Sequence, residues 1–120
     1  MRGKNRNVRA VTLEGKGLLT LKDYPYPEVQ KGCAIIKMEY SGICGTDKHS
    51  FEGFFEQKGG RPIPLPVIQG HENVGIIEEI EGELLDHDGN TLKVGDRVVP
   101  APNISCGKCY ACRNNRPYYF

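Results

Sequence analysis

Gly70-His71-Glu72-Asn73-Val74-Gly75-Ile76-Ile77-Glu78-Glu79-Ile80 turns a proline-spaced loop into an apolar run, and its reading decides the fold. Asn73 to Ile80 has the length and β-branched content of a strand. His71 and Glu72 stand at its threshold, after a glycine that clears space. Upstream, Ser41-Gly42-Ile43-Cys44-Gly45-Thr46-Asp47-Lys48-His49 gathers a thiol, a hydroxyl, a carboxylate and an imidazole within a few positions. Cys44 and His71 are far apart in sequence, so only a fold can bring them together. If it does, a thiolate and an imidazole face each other beside a carboxylate, as a zinc site with an open position requires.

Short runs with glycine and proline punctuation continue on both sides. Cys33 to Tyr40 is the clearest strand: Ala34, Ile36, Met38 and Tyr40 fall on one face, with Lys37 and Glu39 on the solvent side. Cys33, as a small hydrophobe, is expected in the packed barrel wall. Val8–Leu13 and Leu18–Lys22, separated by Gly15-Lys16-Gly17, read as an opening hairpin. That Gly-x-Gly lacks the third glycine and following helix of a phosphate loop. Tyr24-Pro25-Tyr26-Pro27 reads as a rigid extended connector. Thr46–Glu52 can form one or two helical turns capped by Asp47 or Thr46. Gly53–Pro66, with Gly59-Gly60 and Pro62, Pro64 and Pro66, reads as a loop. Glu83–Leu85 and Thr91–Lys93 flank Asp86-His87-Asp88-Gly89-Asn90, a small hairpin with His87 as a solvated loop residue. Gly95-Asp96-Arg97-Val98-Val99 gives a turn and a strand. From Ala101 a cysteine lobe begins. Many short strands and no βαβ alternation predict a mainly β, small antiparallel barrel with short helices, and no nucleotide-binding sheet.

At 120 residues the chain reads as one domain, residues 1–120, and its 15 Gly and 8 Pro fall short of a disordered composition. A formal net charge of +1 excludes the basic footprint of a nucleic-acid binder; Arg2, Lys4, Arg6 and Arg9 read as a frayed terminus. No apolar run approaches a membrane span and no h-region follows Met1. The expectation is a soluble, cytoplasmic protein. Its 5 cysteines, without a secretion signal, favour metal over disulfides.

Cys106-x-x-Cys109-x-x-Cys112 is the most specific local pattern, since that spacing converges three sulfurs on one centre. An iron–sulfur set would place its fourth cysteine directly before Pro117, where Arg116 stands instead. A closed tetrahedral zinc needs a fourth thiolate that the chain does not supply before Phe120. A lone cysteine such as Cys44 is more often a buried structural residue. Thr46 and His49 close to the thiol, and Asp47 able to accept from a ligating imidazole, change that weighting. Glu72 reads as an occasional zinc ligand, or else as an ion-pair carboxylate at a strand entrance.

Taken together, Cys44-Gly45-Thr46-Asp47 with His49, Gly70-His71-Glu72-x-x-Gly75, Val94-Gly95-Asp96-Arg97-Val98 and the three-cysteine lobe resemble the N-terminal catalytic domain of the zinc-dependent medium-chain alcohol dehydrogenases, polyol and threonine dehydrogenases most of all. The resemblance covers nearly the whole chain. It implies a GroES-like, partly open β-barrel with a structural-zinc lobe over 101–120. It also implies catalytic zinc on Cys44 and His71, with Glu72 as alternate ligand and Asp47 orienting the His71 ring. Thr46 and His49 would relay the alcohol proton, and Cys106, Cys109 and Cys112 would hold structural zinc. The implied reaction is hydride transfer from a small secondary alcohol or polyol to NAD or NADP, bound by a Rossmann domain outside these residues. The 120 residues alone would then be inactive, and the full-length protein a homo-oligomer. Three departures stand out: Glu81 where a small residue is usual, a long Glu83–Lys93 stretch, and Phe120 where the fourth structural cysteine commonly falls. Either a one-residue insertion puts that cysteine just past Phe120, the favoured reading, or the protein lacks it. The competing reading is a non-catalytic zinc-binding interaction module; it accounts for the lobe but not for the order of Cys44, Thr46, His49 and His71.

Overall fold

The computed structural model describes residues 6–59, 63–103, 105–106 and 108–114, without the side chains of Phe55 and Glu56. Arg2, Lys4, Gly60, Pro62, Arg116, Pro117 and Phe120, which enter the sequence reading, lie outside the described residues.

Strands β1 (Asn7–Gly15) and β2 (Leu18–Pro25) form the expected antiparallel hairpin, turning at Gly17 with φ 72°. β2 extends through Tyr24 and Pro25, so half of the predicted connector is strand; a proline is tolerated at such a strand end. After β3 (Cys33–Gly42) come helices α1 (Gly45–Phe51) and α2 (Phe54–Gln57), then β4 (Val67–Ile68), which pairs with the free side of β1. β5 (Glu72–Glu81) pairs antiparallel with β3 on one side and with β6 (Arg97–Val98) on the other. Helix α3 (Tyr110–Arg113) lies in the cysteine lobe. The result is two three-stranded sheets, β2-β1-β4 and β3-β5-β6.

Burial follows position in each sheet. Central strand β1 carries Thr12 and Leu13, each 1% exposed, and central strand β5 carries Ile77, 2% exposed. The sheets do not close on one another. The radius of gyration is 16.5 Å, against about 14 Å for a compact chain of this length. The predicted partly open arrangement is therefore found. A clasp joins the two sheets beyond the end of β2. There the Tyr26 hydroxyl donates to Glu78 at 3.0 Å and Glu79 at 3.1 Å, while the Arg6 guanidinium sits 4.7 Å over the Tyr26 ring and 3.2 Å from Glu78. Burial, and then these two carboxylates, push the Tyr26 phenol up to about 12.

Three expectations need correction. Cys33 is exposed rather than packed in the wall. Met38 and Tyr40 are 48% and 77% exposed, so the alternation of β3 does not mark a single buried face. The register shifts twice between β3 and β5, leaving Glu78 and Glu39 without cross-strand partners. A bulge shifts the alternation only along the strand that carries it, so the one at Glu39 affects Tyr40, whereas Met38, ahead of it, is exposed because it lines an open cavity. Both bulged glutamates turn outward to arginines, Glu78 to Arg6 and Glu39 to Arg97 at 2.8 Å. Finally, the predicted loop after Gly53 opens with a helical turn, α2, with the Phe54 ring centroid 4.5 Å from that of His49. The Asp86–Asn90 hairpin forms as expected: the Asp86 carboxylate accepts from the Asp88 and Asn90 amides, and Leu85 bridges Thr91.

Candidate metal centre

The pairing of Gly42 with Glu72 sets the end of β3 beside the start of β5. Cys44 follows Gly42 by two residues and His71 precedes Glu72 by one, so the two side chains converge. Cys44 Sγ lies 3.1 Å from His71 Nε2. Glycine makes this crossing possible: Gly70 has φ 118°, and a Cβ there would sit 2.9 Å from Ser41 Oγ. A Cβ on Gly42 would sit 2.6 Å from the Glu72 carboxylate, which lies across it.

Cys44 itself is the N-cap of α1, in place of the predicted Thr46 or Asp47. Its sulfur accepts from the Thr46 amide at 3.3 Å, while Asp47 Oδ2 accepts from the Cys44 amide at 2.9 Å. This is a capping box with sulfur in the place of a hydroxyl oxygen. The Cys44-x-x-Asp47 spacing is the sequence signal for it. The other Asp47 oxygen, Oδ1, lies 3.9 Å from His71 Nδ1, within ion-pair reach of a charged ring but beyond hydrogen-bond distance. The ligand atoms of Cys44, Asp47 and His71 all lie within 4.8 Å of one another, and all three residues are half-buried. Glu72 is not in that group and is exposed. Thr46 is exposed and His49 half-buried; three positions apart on α1, they share a face. His87 is exposed in its turn, as expected. Beside Asp47 opens a cavity of about 760 Å³ with apolar walls from Val11, Leu19, Met38, Phe51 and Ile68.

In the lobe, the Cys112 sulfur lies 3.8 Å from that of Cys106 and 3.5 Å from that of Cys109. Backbone amides of Lys108 and Cys109 bring the Cys106 thiol down to about 7. Phe120, at the usual place of a fourth ligand, lies outside the described residues.

Both clusters carry the donor types of a zinc site. Tetrahedral bonds of about 2.3 Å to sulfur and about 2.05 Å to nitrogen imply S···S near about 3.8 Å and S···N near about 3.6 Å. The lobe meets the first, and Cys44–His71, at 3.1 Å, falls half an ångström short of the second. The lobe sulfurs are also too far apart for a disulfide, whose S–S bond is about 2.05 Å.

Comparison with known proteins gives the family. Residues 30–120 match the model of the alcohol dehydrogenase GroES-like domain, and the chain belongs to that family. It is 36% identical over 108 residues to an uncharacterized zinc-type alcohol dehydrogenase-like protein of Bacillus subtilis, covering 89% of this chain and 26% of that protein. Against an L-threonine 3-dehydrogenase of Anaeromyxobacter the identity is 36%, covering 84% and 27%. Among solved structures, an alcohol dehydrogenase from Thermotoga maritima superposes with a TM-score of 0.80 at 34% identity, covering 96% of this chain and 31% of that one. A zinc-binding dehydrogenase from Sinorhizobium meliloti, bound to NADP, superposes with a TM-score of 0.74 at 33% identity, covering 94% and 30%. The chain thus spans about a quarter of the length of the curated relatives it matches. Among the described residues no helix is long and apolar enough to cross a membrane.

Proposed function

We propose that this chain is the metal-holding part of a zinc-dependent dehydrogenase that oxidises a small secondary alcohol or polyol and passes hydride to NAD or NADP held by a separate cofactor-binding domain. Cys44 and His71 hold the metal, and the single observation that carries this reading is their 3.1 Å approach from distant parts of the chain. Bound there, zinc supplies Lewis-acid polarisation of the alcohol oxygen, making its proton easier to lose near neutral pH. Thr46 accepts that proton at its hydroxyl and His49, on the same face of α1, passes it to water. Asp47 orients the His71 ring. Glu72, lying across Gly42, is the alternate ligand. Cys106, Cys109 and Cys112 hold a structural zinc that fixes the lobe. The apolar cavity beside Asp47 is where the carbon skeleton of the alcohol can be shielded from water. The module reading accounts for the lobe but leaves the Cys44–His71 approach without a purpose.

The test is NAD(P)-linked alcohol oxidation by the protein with its cofactor-binding domain. Cys44→Ser should remove one zinc per chain and lower kcat/KM by about 10³-fold or more, the scale on which electrostatic stabilisation acts. Undiminished turnover in that variant refutes the reading.

A further inference from the structure

The joint between α1 and α2 is braced from the other sheet, and it packs against a residue of the proposed proton path. We infer that the ring of Phe54 positions the His49 imidazole, and that the turn between β1 and β2 sets Phe54 in place by bracing Gly53. This rests on the role of His49 proposed above and deepens it.

An imidazole on the surface of a short helix samples several rotamers unless something packs against it. His49 is half-buried, its Nδ1 is buried, and its ring centroid lies 4.5 Å from that of Phe54, with 30° between the planes. At that separation aromatic rings attract one another. Phe54 reaches His49 because the chain turns between α1 and α2. Gly53, at φ 67°, makes the turn, and its amide donates to the Ser50 carbonyl at 3.2 Å. The β1–β2 turn covers this joint. There the Gly17 amide donates to the Phe51 carbonyl at 2.8 Å, satisfying one of the acceptors that the end of a helix leaves unpaired. The Lys16 stem lies over Gly53: a Cβ there would sit 3.1 Å from Lys16 Cδ and 3.3 Å from Lys16 Cγ. Helix α1 thus follows β3 at one end and is tied to the β2-β1-β4 sheet at the other. Phe54 acts through His49, as a positioning residue.

The protein with its cofactor-binding domain is assayed for NAD(P)-linked alcohol oxidation. The His49 ring is followed by the NMR signal of its Hε1 in isotope-labelled histidine, assigned by its loss in His49→Gln. Stacking of this kind favours one arrangement over its alternatives by about 2- to 10-fold. In Phe54→Leu the ring-current displacement of the His49 signal should disappear, with zinc content unchanged. The kcat/KM of that variant should fall by about 2- to 10-fold. Phe54→Tyr, which keeps the ring, should restore both. Added to His49→Gln, Phe54→Leu should cause no further fall, a result that general loosening of the fold would not give. Lys16→Ala should move the His49 signal part of the way; Lys16→Met, which keeps the stem without the charge, should not. A His49 signal unmoved in Phe54→Leu overturns the inference, as does a fall in kcat/KM that is undiminished in the His49→Gln background. A signal unmoved in Lys16→Ala overturns the bracing by the turn. If His49→Gln alone leaves kcat/KM unchanged, it is the proton path proposed above that fails, and the NMR comparison still decides the placement of the ring.

Discussion

Gly75 sits where β5 is paired on both sides, opposite Met38 of β3 and Val98 of β6. A methyl group there would lie 2.6 Å from Ile36 Cγ2 and 3.0 Å from the Lys37 carbonyl carbon, with the Lys37 oxygen closer still. Backbone atoms cannot swing aside as a side chain can, so Gly75→Ala must push the two strands apart. Overpacking of this kind costs about 1–3 kcal/mol, and contact with backbone places it at the upper end. Against that, alanine restricts the unfolded chain and recovers about 0.4–1 kcal/mol, since the φ of Gly75 lies outside the left-handed region. The net expectation is a loss of about 2 kcal/mol, equivalent to a fall of about 6–10 °C in Tm for a chain of this size. Gly15→Ala is the control, because nothing lies within 4 Å of the position its methyl group would take and its φ is unstrained. Thermal unfolding followed by circular dichroism decides the matter. An unchanged or raised Tm in Gly75→Ala, with Gly15→Ala equally neutral, refutes the close-crossing argument.

The Tyr26 clasp predicts an alkaline transition. The folded-state pKa is raised from 10.0 to about 12, so the stabilisation is complete below about 10 and is lost as pH rises toward 12. Denaturant melts across that range should show Tyr26→Phe losing the pH dependence, and an identical slope in both proteins counts against the clasp. In the lobe, Cys109→Ser should release one zinc per chain and make the segment around Cys106–Cys112 sensitive to limited proteolysis, because a structural zinc contributes folding energy directly. Zinc analysis and protease mapping check this, and retention of the full complement argues against convergence of the three sulfurs.

Much of the fold is legible in the sequence because it depends on local signals. The Gly15–Gly17 turn, the Asp88-Gly89 hairpin and the run from Asn73 to Ile80 each carry their own punctuation. The meeting of Cys44 with His71 is legible as chemistry, and register supplies it: pairing Gly42 with Glu72 leaves the two residues little freedom to be anywhere else. Sequence and structure part where a single extra residue changes the outcome. Of the bulges at Glu39 and Glu78, only that at Glu39 lies on β3, and it breaks the alternation that makes Tyr40 look like core; Met38, ahead of it, lines the open cavity. Nothing in a two-residue period announces them, although both are charged residues that gain an arginine by turning outward. Cys33 points inward by residue type alone, yet it opens β3 and is exposed. Propensity favours oxygen-bearing residues at the cap of α1; the sulfur of Cys44 occupies that role here. In α2, contact of Phe54 with His49 gives a glycine- and proline-bounded segment a helical turn that its composition does not advertise.

The central claim is that one metal ion sits between Cys44 and His71. Crystals grown with zinc, measured at the zinc absorption edge, test it through an anomalous difference map. The expected peak lies about 2.3 Å from Cys44 Sγ and about 2.1 Å from His71 Nε2, separate from any peak in the Cys106–Cys112 lobe. A map with density in the lobe alone, and none between Cys44 and His71, contradicts it.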